Sequence, residues 1–79
     1  MKLKIFYPYA QYVKENIWVE DEIYEDFHEK GYLIYYAKME GKTQILSWIL
    51  QMGDNCIVME PPEIKNDIIK IHKKILENY

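Results

Sequence analysis

The side chains that could do chemistry are few and scattered along this chain. Its two histidines, His28 and His72, stand far apart. His28 sits in an alternating stretch beside Tyr24 and Asp26, where it could contact a ligand on an open sheet. A solvated strand histidine is the simpler reading. His72 follows Ile71 in a helical pattern and reads as partly exposed. Neither has a metal-ligating partner at a diagnostic spacing. No Ser/His/Asp or Cys/His set presents itself. The acidic cluster Glu20, Asp21, Glu22, Glu25 and Asp26 lacks the ordered spacing and turn glycine of a calcium loop. A solvated edge that resists strand-to-strand aggregation fits it better. Cys56 leads into the apolar run Ile57-Val58-Met59 and reads as a small buried packing residue, not a reactive thiol. One cysteine cannot form an internal disulfide, which fits a reducing, cytoplasmic compartment. No catalytic residue, cofactor or metal site is therefore expected.

The chain of 79 residues has a net charge of −3, and all ten of its basic residues are lysine. Arginine is the usual bidentate reader of phosphate, carboxylate and guanine edges. Its absence, with the acidic balance, disfavours autonomous nucleic-acid binding. It also removes acylphosphatase-type catalysis, which needs an arginine near the first strand. The eight tyrosines are the more promising groups. Tyr24, Tyr32 and Tyr36, with Ile34 between the last two, are expected on one face of a hairpin. If the sheet face opposite the helices is open, these rings could stack a base or meet another protein. Burial under a terminal helix or a partner subunit is the simpler alternative. Trp48, at the margin of an apolar stripe, is a candidate for a partner-facing surface.

These residues must be held by a single small domain. A chain of this length buries only about 60% of its unfolded surface, so its stability is expected to be modest. A composition 49% hydrophobic and 15% aromatic still supports a real core. No apolar run approaches the ~20 residues that span a bilayer. Lys2 to Tyr7 alternates, with Leu3, Ile5 and Tyr7 on one side and Lys2, Lys4 and Phe6 on the other, as a strand does. Pro8 opens a short helix to about Asn16. A half-exposed strand from Glu22 to His28, a turn at Glu29-Lys30-Gly31 and a more buried strand from Tyr32 to Met39 make a hairpin. Thr43 is the expected cap of a helix whose stripe is Ile45, Leu46, Ile49, Leu50 and Met52, ending at Gly53. Cys56 to Met59 is a short apolar strand. After Pro61-Pro62, Ile64, Ile68, Ile71 and Ile75 mark a last helix, roughly 24 Å long. The order β-α-β-β-α-β-α predicts an α+β fold of ferredoxin-like βαββαβ type with an additional C-terminal helix.

With these elements in place, the chain resembles the C-terminal extension of WYL-domain transcriptional regulators, the WCX domain, over nearly its whole length. The resemblance rests on Ala10-x-x-Val13-x-Glu15 in the first helix and on Lys30-Gly31 in the hairpin. It rests further on Ile45-Leu46-Ser-Trp48-Ile49-Leu50-Gln-Met-Gly53, on Val58-Met59-Glu60-Pro61, and on Tyr79 near the end. Ile64-Lys65 stands where the family often has Leu-Arg, and Lys65 cannot offer the planar fork of an arginine. The resemblance implies that residues 1–79 are one domain, the C-terminal one of a longer bacterial regulator. Its partners would be its own upstream WYL and winged helix-turn-helix domains and a second copy. DNA would be reached only through the N-terminal domain. The implied role is non-catalytic: assisting dimerisation and sensing an effector that resembles a nucleic acid or nucleotide. Tyr24, His28, Tyr36, Trp48 and Lys65 are the candidate contacts. The competing expectation is a stand-alone ferredoxin-like domain that binds a small metabolite as a dimer.

Overall fold

A computed structural model describes residues 1–16, 23–38 and 41–79. The acidic residues Glu20, Asp21 and Glu22, and Met39, lie outside the described residues; the strand expected from Tyr32 to Met39 stops at Tyr36, short of Ala37 and Lys38. The fold is α+β: a four-stranded antiparallel sheet and three helices. Strands β1 (Lys2–Phe6), β2 (Ile23–Phe27), β3 (Tyr32–Tyr36) and β4 (Cys56–Glu60) lie in the order β2-β3-β1-β4. Helices α1 (Tyr9–Glu15), α2 (Lys42–Gln51) and α3 (Pro62–Glu77) follow β1, β3 and β4 in turn.

Local chemistry sets the boundaries. Pro62 opens α3, where its missing N–H costs nothing and its fixed φ suits the first turn. Gly31 closes the β2–β3 connection at φ 87°, a left-handed conformation that a side chain resists. The cap of α2 differs from the expectation at Thr43. Gly41 occupies the cap at φ 71° with no side-chain cap bond, and the helix starts at Lys42. Glycine's freedom in the left-handed region starts the helix before Thr43, leaving that residue inside the first turn. Beyond α2, Gly53 begins a short 3-10 turn, Gly53–Asn55, that leads into β4.

One face of the sheet carries the core. Leu3 and Ile5 of β1, Leu33 and Tyr35 of β3 and Val58 of β4 are buried with Ala10 and Val13, Ile45 and Ile49, and Ile64 and Ile68. All three helices therefore bury residues on the Leu3 side of the sheet. The register confirms the shared face, with Leu3 opposite both Tyr35 and Val58 and Ile5 opposite Leu33. Lys42 at the start of α2 ties α3 down through Glu63 and Asp67, each 2.9 Å away. Among the described residues, no helix is long and apolar enough to cross a membrane.

Candidate functional site: an aromatic and lysine sheet face

Period-2 alternation leaves the other set of side chains on the opposite face. Three cross-strand rows follow from the register. The first is Phe27, Tyr32 and Phe6; the second is Glu25, Ile34, Lys4 and Ile57; the third is Ile23, Tyr36 and Lys2. Rings and cations interleave here. The Tyr32 ring lies 5.3 Å from Phe27 and 6.5 Å, edge-on, from Phe6. The Lys4 ammonium stands 4.1 Å above the Tyr32 ring, and that of Lys2 stands 5.8 Å from Tyr36. The Tyr36 hydroxyl donates to Glu25 at 3.3 Å. Ile34 is only 8% exposed although it belongs to this face, so its ring and lysine neighbours form a continuous layer. A surface of π faces with ammonium groups between them can hold a flat, electron-rich, anionic group by stacking and charge together.

A second polar group closes one end of the sheet on the helix side. The Tyr7 hydroxyl donates to Asp26 Oδ1 at 2.7 Å, and Lys14 Nζ donates to Asp26 Oδ2 at 2.9 Å and to Tyr7 at 3.2 Å. The hydrogen bond from Lys14, then that from Tyr7, holds the Asp26 carboxyl below its usual range. The same bond from the other side raises Lys14. Burial, then the bond to Asp26, raises the Tyr7 hydroxyl. These three bonds join Tyr7, α1 and β2, so the cluster fastens elements together. Burial pushes the Cys56 thiol up to about 12, which keeps it protonated and unreactive. Among the described residues, no group of three His, Cys, Asp or Glu could hold a metal ion.

The five sequence candidates fall on separate surfaces. Tyr36 alone lies on the open face. Tyr24 is opposite Tyr35 and so shares the helix-side set, apart from Tyr32 and Tyr36. The cause is one residue of register. A strand running to His28 would pair His28 with Tyr32 and Tyr24 with Tyr36. Instead His28 is drawn into a 3-10 turn, His28–Lys30, so Phe27 pairs with Tyr32 and Tyr24 flips to the other face. His28 is exposed on that turn, its ring edge-on to Tyr7 at 4.6 Å. Trp48 is half-buried against Tyr35 at 5.3 Å, on the helix side. Lys65 is exposed on α3. Phe6, Lys2 and Lys4 were not among the candidates, although the alternation of Lys2, Lys4 and Phe6 against Leu3 and Ile5 places these three on one face; Phe27 joins them only through the β2–β3 register.

Comparison with curated proteins and with solved structures gave no match. The family model of the WCX domain matches residues 1–76, nearly the whole chain. The chain therefore belongs to the WCX domain family, the regulatory domain of WYL-type regulators.

Proposed function

We propose that this domain is a non-catalytic regulatory module of a WYL-type bacterial transcriptional regulator, assisting dimerisation and sensing a nucleotide or single-stranded nucleic-acid effector. Its partners in that role are the protein's own WYL and winged helix-turn-helix domains, and its compartment is the cytoplasm. The arrangement reads as ferredoxin-like with an additional helix; the element order and the strand order β2-β3-β1-β4 support that reading. The observation that carries the sensing role is the open sheet face, where Lys2 and Lys4 stand among Phe6, Tyr32 and Tyr36. Bases stack on such rings without regard to sequence, and the ammonium groups meet the phosphates. With no arginine and a net charge of −3, the face contributes to affinity and leaves most of the charge neutralisation to a neighbouring domain.

The test is an anisotropy titration of the intact protein with short single-stranded oligonucleotides at stated salt. Tyr32→Ala should weaken binding about tenfold, the value of losing one stacked base. Lys4→Glu should weaken it and flatten the salt dependence. Binding that is indifferent to both substitutions, or no binding at all, would remove the sensing role from this face.

A further inference from the structure

The open sheet face holds a carboxylate where a surface for phosphates would gain nothing from one. Glu25 lies in the middle row, exposed, with Ile34 and not a lysine directly across from it. Glu60, by contrast, stands opposite Lys2 at the far edge. The two lysines of the face turn to rings instead, Lys4 to Tyr32 and Phe6 and Lys2 to Tyr36. Tyr36 donates its hydroxyl to Glu25 Oε1 at 3.3 Å, longer than a tight O–H···O bond. That contact steadies the carboxylate and leaves most of its roughly four acceptor positions open. Aromatic rings lie beside it. Phe27 is two residues along β2 on the same face, about 7 Å away, and Tyr32 is a diagonal neighbour on β3, about 7–8 Å away. These two rings are tilted by 34° with centroids 5.3 Å apart.

We propose that Glu25 is the base-selecting residue of this face and that the base it selects is guanine. This rests on the nucleotide or single-strand reading above. A base laid on the Phe27 and Tyr32 rings, with Lys4 turning from the Tyr32 ring to its phosphate, extends its edge over Glu25. An ionised carboxylate has acceptors and no donor, so it favours bases that offer donors. Guanine presents N1–H and its N2 amino group side by side, matched to the two carboxylate oxygens. Adenine and cytosine offer one amino group next to a ring-nitrogen acceptor, which meets the second oxygen lone pair to lone pair. Thymine and uracil have one N–H between two carbonyls, and the carboxylate repels both. The charge that opposes phosphate at this position is thus offset by two charge-assisted bonds for one base and not for the others.

The test is an anisotropy titration of the intact protein with short oligothymidylates that carry one central guanine, inosine or thymine. The guanine probe should bind at least about fivefold more tightly than the thymine probe, the lower end for a two-bond base contact. Inosine keeps N1–H and lacks the N2 amino group, so it should lose most of that gain. This comparison uses the wild type and needs no variant. Glu25→Ala, at an exposed strand position, should bring the guanine and thymine probes to one affinity, and Tyr36→Phe should narrow the gap in part. Equal wild-type affinities for the two probes, a guanine preference that survives Glu25→Ala, or an inosine probe equal to the guanine probe overturns this assignment and leaves the stacking face standing. Probes that do not bind, or that bind regardless of Tyr32→Ala, remove the sensing reading and this inference with it.

Discussion

Replacing Ile64 by alanine tests whether α3 belongs to the core or merely trails from it. Ile64 is fully buried and shares one cluster with Leu3, Ile49 and Val58, so the truncation empties space that three elements enclose. The three carbons lost carry about 2.4 kcal/mol of transfer free energy at about 0.8 kcal/mol each. A cavity that the sheet cannot close raises the total to about 3–4 kcal/mol. A domain of this size has about 4–12 kcal/mol of stability in all. The melting temperature should therefore fall by about 15–25 °C. Ile75→Ala, on the same helix but 44% exposed, should cost about 1 kcal/mol or less. Urea denaturation followed by circular dichroism, with both variants fitted to a common slope, gives the two numbers. Equal costs for the two variants, or a loss under about 1 kcal/mol for Ile64→Ala, would show that α3 does not close the core as described.

Two further outcomes follow from the titratable groups. Asp26 is ionised more readily in the fold than in the open chain, so its bonds to Lys14 and Tyr7 stabilise the protein above the ordinary carboxylate range and lose that effect as pH falls through the depressed value. The stability difference between the wild type and Asp26→Asn should therefore be constant near neutral pH and shrink below about pH 4; a difference that grows on acidification would contradict the assigned bonds. The Cys56 thiol, raised to about 12 by burial, should resist a disulfide reagent at pH 8 and react at once in denaturant. Rapid labelling of the native protein would place it on the surface.

The elements were legible because each carries its own local signal. Alternation marks β1, the Pro61-Pro62 pair fixes the start of α3, and Gly31 marks the hairpin. The contents of the open face were only partly legible, since they depend on a register that no single strand contains. Whether Tyr24 joins Tyr36 turns on whether His28 extends β2 or enters the turn, and Glu29-Lys30-Gly31 is compatible with both. The structure resolves it through a turn of four residues, and one step of register moves every β2 side chain to the other face. Trp48 shows a second limit. Its place at the edge of the helical stripe fits a partner surface or a ring packed under the sheet, and only the neighbouring Tyr35 decides it. The start of α2 shows a third, because a good capping side chain at Thr43 yields to a backbone conformation that Gly41 alone can adopt.

The proposed sensing face and helix α3 stand on opposite sides of one core, and that limits how an effector could be read. Ile34 and Tyr36 face away from the helices, while their neighbours Leu33 and Tyr35 are locked into the same cluster as Ile64 and Ile68. A core at this density has little room for a graded deformation that could carry a signal from the sheet face to α3. A ligand shifts an equilibrium only by the difference in its affinity for the two states. If both states share this rigid fold, the difference must arise where the sheet face meets a second body that shares the ligand. The proposed regulation is then a change in how whole domains are placed, with this domain acting as a fixed platform. Substitutions at Tyr32 or Lys4 should accordingly alter effector binding and leave the packing of Ile64 and Ile68 in the core untouched.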